Sequence, residues 1–167
     1  MNKDSKYIIL RYFNVAGASK SGKIGEVGNK DGRLIKNLAI QYFKPKPIIN
    51  IHGSNYKTKD GTCVRDYIHV SDIADIHYEC IKYLKKNLKS NIFNCGYEKG
   101  YSVLEIANIF KKIKKNVKIN FMKRRLGDVA QVYANTNKFK KTFKWKPKYN
   151  NINKILNSAI NWEKKLR

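Results

Sequence analysis

The feature that most constrains the fold is a short apolar run near the start of the chain, residues 7 to 13, with the sequence YIILRYF. Its length and its β-branched and aromatic residues predict a strand buried on both faces, as in a parallel sheet. Further strands are predicted at 47–51, 91–94 and 117–121, and a helical pattern separates each from the next. The chain closes with a helical pattern over 151–166. This alternation predicts an α/β fold.

The predicted helices have recognisable ends. An apolar stripe that begins at Leu34 stops before Pro45, because proline cannot continue a helix. Ser71 and Asp72 are predicted N-caps of the next helix, since both side chains can accept a hydrogen bond from a free backbone N–H. The segment Ser102–Glu105 reads as a capping box.

Composition excludes two broad classes. Hydrophobic residues make up 42% and aromatic residues 12% of the 167 residues, which is enough for a buried core and argues against wholesale disorder. No apolar run approaches the roughly 18 residues of a membrane-spanning helix, and no signal-peptide-like region is present near the N-terminus. A cytoplasmic protein of about one domain, with no membrane partner, is expected.

The net charge of +24 comes from 36 Lys and Arg residues against 12 Asp and Glu. Such a charge favours a nucleic acid or another polyanion as partner. The lysines, however, are scattered along the whole chain and do not form one basic block. A solvated cationic surface is therefore the favoured interpretation, and no specific nucleic-acid site is predicted.

Cysteines and histidines give no sign of a metal site. Three widely spaced cysteines fit neither a disulfide framework nor a CxxC knuckle, and reduced thiols are expected. The three histidines form no HExxH pattern and no cluster with the cysteines. The residues concerned are Cys63, Cys80, Cys95, His52, His69 and His77.

Two glycine motifs resemble nucleotide-binding loops. Gly17–Lys23 matches GxxxxGK, but the next residue is Ile24, where a Mg²⁺-binding Ser or Thr is needed. Gly22–Gly28 spells GxxGxxG, but no strand enters it and no helix leaves it. Both are interpreted as parts of a glycine-rich loop.

Two Tyr-x-x-x-Lys pairs match the catalytic spacing of short-chain dehydrogenases. With 11 tyrosines and abundant lysine, about two such pairs are expected by chance. Pro45 interrupts the pair Tyr42 and Lys46. Tyr78 and Lys82 are expected on the solvent side of an amphipathic helix, so no catalytic residue is predicted in this chain.

Three polar segments have no evident structural role. Asn14 lies at the carboxyl end of a predicted strand, where α/β folds place ligand sites. Residues 64–70 (VRDYIHV) mix both charge signs with aromatic residues, and 124–128 (RRLGD) place two arginines on a turn. Arginine is suited to bidentate phosphate recognition, although Arg65 could instead pair with Asp66 and the two later arginines could be solvated.

Taken together, these segments resemble the UDP-glucose 4-epimerases of the extended short-chain dehydrogenase/reductase family. The matching text is RYFNVAGA at 11–18, DGTCVRDYIHVSDIADIH at 60–77, IFNCGYEKGYSVLEI at 92–106 and RRLGD at 124–128. Order and spacing agree with the C-terminal half of those enzymes. The resemblance implies the C-terminal part of a doubly wound Rossmann-type sheet plus a smaller substrate-binding α/β region.

The resemblance also implies a role for particular residues. At three positions this chain departs from the usual sequence pattern of the family: Arg33 stands where Asn or His is common, Ala130 replaces a proline, and Val132 replaces an aromatic residue. The implied contacts are Phe13 with the nicotinamide of NAD, Asn14 and Arg65 with the sugar diphosphate, Arg33 and Leu34 with the nucleotide, Asn50, Ile51 and His52 with the uracil edge, and Arg125 and Asp128 with phosphate and ribose.

In the family a tyrosinate removes the C4 hydroxyl proton of the sugar while hydride passes to NAD⁺, and the 4-keto sugar then turns over and takes the hydride back. The tyrosine, its lysine and the true GxxGxxG lie before RYFN in such enzymes. Residues 1–167 are therefore expected to be the UDP-sugar-binding portion of a partial epimerase without its N-terminal NAD-binding portion. Such a chain is expected to be inactive alone, and an N-terminal partner chain or a homodimer is its candidate protein partner.

Three alternatives remain open at this point. The chain could derive from another sugar-nucleotide epimerase or dehydratase, since related enzymes share much of this text. It could be a non-catalytic UDP-sugar-binding protein, which would need only the arginine pocket. It could also bind polyanions through its charge alone, and such binding would weaken steeply with salt.

Overall fold

A computed structural model describes residues 5–28, 33–86 and 89–167. Residues 29–32, the end of the predicted glycine-rich loop, lie outside the described residues. Strands and helices alternate, and the predicted α/β class is confirmed. The elements are β1 Ile8–Tyr12, β2 Asn14–Ala16, α1 Leu34–Tyr42, β3 Ile48–His52, β4 Val64–His69, α2 Val70–Lys85, β5 Asn91–Cys95, β6 Gly100–Ser102, α3 Val103–Ile113, β7 Lys118–Met122, β8 Gln131–Val132, α4 Asn137–Thr142 and α5 Ile152–Lys165.

The strands pair mostly in parallel. β1 pairs with β5, and β3 pairs with β7. β2 and β8 both run parallel to β4, which also carries β6 antiparallel to it. Parallel pairs need crossover connections, and the intervening helices supply them.

The apolar run at the N-terminus forms the predicted strand, β1, but this strand is not buried on both faces. A second short strand, β2, follows directly after Phe13 and pairs with a different partner. β1 is bonded to β5 alone among the described residues, and Ile9 and Tyr12 are 44% and 45% exposed. The second neighbour that would bury a parallel strand on both sides is not among the described residues.

Two hydrophobic cores support these strands. In the larger one, α1, α3 and α5 pack with β3, and Leu38, Phe110 and Leu156 are buried there. In the smaller one, Phe93 of β5 contacts Phe139 and Phe143 at ring-centroid distances of 5.8 and 5.2 Å. The larger core fixes α1 relative to β3, and this places one wall of the cavity described below.

One predicted helix start is correct and one is wrong. The Ser102 hydroxyl accepts the Glu105 N–H at 2.9 Å and the Glu105 carboxylate accepts the Ser102 N–H at 2.7 Å, so the capping box at α3 is confirmed. For α2 the N-cap is His69, whose Nδ1 accepts the Ser71 N–H at 3.1 Å. Asp72 is fully buried in the first turn of α2.

Candidate functional site

A cavity of about 450 Å³ lies between α1, β3, β4 and the segment around Asp128. It brings together eight of the nine residues predicted to bind substrate. The lining residues are Asn14, Arg33, Leu34, Asn37, Leu38, Ile40, Gln41, Lys44, Ile48, Ile49, Asn50, His52, Cys63, Arg65, Tyr67, Val103, Arg125 and Asp128.

Ile51 is the predicted substrate residue that the structure does not bring to the cavity. Successive side chains of a strand point to opposite faces, so Asn50 and His52 share a face that Ile51 does not. Asn50 and His52 line the cavity, whereas the Ile51 side chain is 1% exposed in the larger core. An Ile51 contact with a ligand is therefore limited to its backbone.

Phe13, predicted to face the nicotinamide, is half-buried at the junction of β1 and β2. It is not among the residues that line the cavity. Asn14, the next residue, does line it and lies opposite Tyr67 in the parallel pairing of β2 with β4. The pairing of β2 with β4 therefore places Asn14 at the cavity, and any contact of Phe13 with a cofactor would lie elsewhere.

Arg65 is the most enclosed of the cavity arginines, with a side chain 17% exposed. Its Nη1 donates to the Val64 carbonyl at 2.9 Å, and its Nη2 lies 3.7 Å from a carboxylate oxygen of Asp128. Its acidic partner is thus Asp128 and not the neighbouring Asp66. Two predicted site residues, far apart in sequence, form one charged pair at the cavity.

Asp66 binds backbone N–H groups and does not pair with Arg65. Its carboxylate is fully buried and accepts backbone N–H bonds from Tyr97, Glu98 and Ala134 at 3.0 to 3.2 Å. Burial raises the pKa of Asp66, although these N–H donors act in the opposite direction. The carboxylate joins β4 to the loop after β5 and to the segment after β8.

Arg124 and Arg125 divide between two environments. The Arg124 guanidinium lies 4.1 Å from the centroid of the Tyr56 ring, and its Nε donates to the Asn55 side-chain oxygen at 2.7 Å. Arg125 instead lines the cavity. Both arginines are exposed, but the Arg124 guanidinium is also held by protein groups.

Arg33 precedes α1 and contributes a third arginine to the cavity. Its Nε lies 2.8 Å from a Glu26 carboxylate oxygen, and its side chain is 57% exposed. Lys44 adds a further cation near the end of the same helix. Four cations, Arg33, Lys44, Arg65 and Arg125, thus face one lining carboxylate, Asp128, which favours an anionic ligand.

Three polar lining residues were not predicted: Asn37 and Gln41 on α1, and Lys44 just beyond its end. They are spaced by four and three residues, so they form a polar stripe on one face of the helix. Gln41 also fixes that helix to β3, because its side-chain oxygen accepts the Ile48 N–H at 3.0 Å. The stripe is visible in the sequence once the position of the helix is known.

The glycine-rich loop is not a phosphate cradle. Three N–H groups are bonded within the loop. The Ser19 N–H donates to the Ile24 carbonyl, and the Gly22 N–H donates to the Ser19 carbonyl. The Ile24 N–H donates to the Ser19 hydroxyl. The Gly22 carbonyl accepts Lys165 of α5 at 3.0 Å. Because these groups are already satisfied, the described part of this loop does not fit the pyrophosphate of a dinucleotide.

Tyr78 and Lys82 form no catalytic pair. Tyr78 is 62% exposed on α2, and the Lys82 ammonium pairs with Glu79 at 2.5 Å. This confirms the interpretation that the pair lies on the solvent face. The Tyr78 phenol is open to solvent, whereas a catalytic tyrosine acts as a base in an enclosed site.

His69 and Ser158 lie close together, like the base and nucleophile of a hydrolase, but their contact is structural. His69 Nε2 lies 3.3 Å from the Ser158 hydroxyl. Because His69 Nδ1 already accepts an N–H, Nε2 carries the proton and donates it, while the Ser158 hydroxyl donates to the Ile155 carbonyl. Burial lowers the pKa of His69, so the neutral ring persists near pH 7. The serine is therefore not activated.

The three cysteines are free and buried. Burial raises the pKa of Cys80 to about 11 and that of Cys95 to about 12, so these two thiols stay protonated at neutral pH. Within residues 5–28, 33–86 and 89–167, no group of three or more His, Cys, Asp or Glu side chains is arranged to hold a metal ion. None of the helices in those ranges is long and apolar enough to cross a membrane.

The fold and cavity define an α/β protein with a cationic ligand site between parallel strands and a helix. The chain belongs to the NAD dependent epimerase/dehydratase family, whose model matches residues 1–96. Two curated relatives are the UDP-glucose 4-epimerases of Azospirillum brasilense and Lacticaseibacillus casei, 39% and 40% identical over 160 and 158 residues. The matches cover 95% and 94% of this chain but 46% and 48% of those proteins.

Solved structures give the same picture. A UDP-glucose 4-epimerase from Stenotrophomonas maltophila, solved with bound NAD and formylated UDP-arabinopyranose, matches with a TM-score of 0.87 and 30% identity. The UDP-Glc/GlcNAc 4-epimerase of Campylobacter jejuni matches with a TM-score of 0.78 and 40% identity. Each match covers 98% of this chain and 49% or 50% of the other. The chain thus spans about half the length of the relatives it matches.

Proposed function

We propose that this chain provides the UDP-sugar-binding half of a sugar-nucleotide 4-epimerase that interconverts UDP-glucose and UDP-galactose. The observation that carries the proposal is the convergence, on one cationic cavity of about 450 Å³, of eight residues to which the family resemblance assigned substrate contacts. The similarity to UDP-glucose 4-epimerases along nearly the whole chain supports it.

The cavity residues suit the parts of a uridine diphosphate. Arg65 and Arg125 provide guanidinium groups that can bind a diphosphate in bidentate fashion. Asn50 and His52, adjacent on one face of β3, offer donors and acceptors for the edge of a uracil ring. Asp128 offers a carboxylate to the ribose hydroxyls, in exchange for part of its pairing with Arg65.

The acid–base chemistry requires residues from outside this stretch. Tyr67, the one tyrosine among the lining residues, is 4% exposed, and burial raises its pKa, so its phenol stays neutral. In the family, NAD accepts and returns a hydride, but the described glycine-rich loop does not fit its pyrophosphate. We assign to this chain the binding and orientation of the nucleotide sugar, and no step of hydride transfer.

The exposed edge of β1 is the proposed contact with the NAD-binding half, whether that half belongs to the same polypeptide or to another. A groove of about 290 Å³ runs between β1 and α2, lined by Ile8, Leu10, Cys80 and Ile81 among others. Ile9 on the opposite face of β1 is 44% exposed. A further parallel strand would bond the free edge of β1 and cover these apolar groups.

Calorimetric titration of the chain with UDP and with inorganic pyrophosphate tests the proposal. UDP is expected to bind more tightly than pyrophosphate, because only UDP reaches Asn50, His52 and Asp128. Arg65→Ala and Arg125→Ala are each expected to weaken UDP binding by about 1.5–3 kcal/mol, the range for charge-assisted hydrogen bonds.

Arg11→Ala is the matched control, because Arg11 is an exposed arginine on β1 outside the cavity. This variant is expected to bind UDP like the unmodified chain. Equal affinity for UDP and pyrophosphate, or an equal effect of all three arginine substitutions, would mean a nonspecific cationic surface and would refute the proposal.

A further inference from the structure

Arg125 lies on a stretch of chain that packing alone does not hold. All seven residues from 123 to 129 are exposed, and the Leu126 side chain is completely so. A Cβ atom added to Gly127 would meet no atom within 4 Å. An arginine on such a stretch would sample many positions unless neighbouring residues fixed the backbone on either side of it.

On one side, Arg124 provides such a fixed point. Its guanidinium stacks on the Tyr56 ring and donates to both the side-chain and the backbone oxygen of Asn55. The ring itself is buried, at 7% exposure, so its position is set. Gly53, with a φ of +84°, makes room for the contact, since a Cβ there would lie 2.8 Å from Arg124 Cγ.

The loop that receives Arg124 is itself rigid. The Tyr56 N–H donates to the Gly61 carbonyl at 2.9 Å, and the Thr58 hydroxyl donates to the Thr62 carbonyl at 2.7 Å. Asp60 accepts bonds from Thr62 and from Ser102, the N-cap of α3. Arg124 is therefore docked on a framework anchored to the larger core.

On the other side, the stretch is tied to β4. The Val64 N–H donates to the Ala130 carbonyl at 2.8 Å, and Asp128 pairs with Arg65. Arg125 lies between these two attachments and immediately after the first. The direction of the Arg125 side chain thus depends on where Arg124 is held.

We propose that Arg124 is a positioning residue, which sets the backbone so that the Arg125 guanidinium faces the cavity. The inference rests on the proposed function, in which Arg125 binds the ligand diphosphate. Arg124 itself is not among the residues that line the cavity. Its role requires a planar group that can stack and donate at two points at once, which lysine cannot do.

The test compares Arg124→Lys, which keeps the charge, in two backgrounds by calorimetry with UDP. In the unmodified chain, Arg124→Lys is expected to weaken UDP binding about tenfold, the scale of a lost stacking contact and hydrogen bond. In the Arg125→Ala background the same substitution is expected to have no further effect, because the group it positions is gone. A merely structural role would cost affinity in both backgrounds.

Two further variants complete the design. Lys123→Gln removes a charge from the same exposed stretch and is expected to change the affinity less than about twofold. Asn55→Ala removes the side-chain acceptor of Arg124 but keeps the backbone acceptor and the Tyr56 ring, and it is expected to give part of the loss seen with Arg124→Lys. It covers the case in which Arg124→Lys misfolds.

Unchanged UDP binding by Arg124→Lys and Asn55→Ala, or equal losses in both backgrounds, would overturn the inference while leaving the proposed function intact. Absence of saturable UDP binding by the unmodified chain would instead contradict the proposed function, and with it this inference.

Discussion

At the scale of single residues, the buried carboxylates of Asp66 and Asp72 connect parts of the chain that are distant in sequence. Asp66 receives three backbone N–H groups, and Asp72 receives the N–H groups of Lys148 and Tyr149. The Tyr97 hydroxyl also donates to Asp72. Each carboxylate replaces water for several buried donors, so its removal leaves those donors unsatisfied.

Asp66→Ala is therefore expected to lower the free energy of unfolding by at least about 3 kcal/mol, since it leaves three buried N–H groups without an acceptor. Urea unfolding measures this. Asp75→Ala is the control, because Asp75 makes one exposed ion pair with Lys148 and should cost less than about 1 kcal/mol. Similar losses for the two variants would contradict the assigned role of Asp66.

Residue types alone indicated part of this site. The cavity arginines and the amides of Asn14 and Asn50 suit phosphate and base recognition, and they were predicted from residue type or from the family resemblance. The amides of Asn37 and Gln41 were not predicted. The bonding partners were not predicted either, because Arg65 pairs with Asp128 across 63 positions and Asp66 bonds to backbone N–H groups 31, 32 and 68 positions away. The exclusion of Ile51, by contrast, follows from strand alternation and could have been predicted.

At the scale of elements, α4 is attached to the rest of the molecule through Glu98. The Glu98 carboxylate accepts the Thr136 N–H at 2.7 Å and pairs with Lys140 on α4. The Lys140 bond, and then the Thr136 bond, lower the pKa of Glu98 below its ordinary value of 4.5. The pKa of Asp60 is also lowered. Its burial alone would raise the pKa, but the hydrogen bonds from Ser102 and Thr62 outweigh that effect.

These lowered pKa values predict acid sensitivity. A carboxyl group whose folded pKa lies below its unfolded value contributes stability that is complete above the unfolded pKa and is lost as the pH falls through the folded pKa. Urea unfolding at several pH values below about 5 should therefore show a smaller pH dependence for Glu98→Gln than for the unmodified chain. Identical pH dependences would show that Glu98 is not engaged as described.

Elements with local signals were the most predictable from sequence. The capping box at Ser102 is formed by residues three apart, and the pattern identified it. The start of α2 was misjudged because Asp72, a good cap by type, is used by Tyr97 and Tyr149 from elsewhere in the chain. The short strand β2 was not predicted, because β1 and β2 pair with different strands, β5 and β4, and no local sequence pattern shows this pairing.

At the scale of the whole molecule, the free edge of β1 is the weak point. Three large side chains at or next to this edge are exposed: Tyr7 by 56%, Ile9 by 44% and Tyr12 by 45%. Each large apolar side chain left in water forgoes up to roughly 1.5–3 kcal/mol, against a typical domain stability of about 5–15 kcal/mol. The 167-residue chain by itself is therefore expected to be marginally stable or to self-associate through this edge.

Ile9→Lys tests this expectation, because a charge on an edge strand opposes edge-to-edge pairing. In sedimentation experiments the unmodified chain should associate with rising concentration, and Ile9→Lys should remain monomeric. Val27→Lys, at a 71% exposed apolar position away from β1, should associate like the unmodified chain. A monomeric unmodified chain that melts sharply well above about 50 °C would show a self-sufficient domain.

The most direct test of the central claim is the salt dependence of UDP binding to the 167-residue chain. A defined cavity with a few arginines should bind UDP saturably, with a shallow fall in affinity between about 50 and about 200 mM salt. Binding through the scattered surface charge of +24 would favour long polyanions and weaken steeply with salt. Saturable UDP binding with a shallow slope, lost in Arg65→Ala, is the predicted result, and a steep slope with no preference for UDP over a DNA duplex would contradict the account.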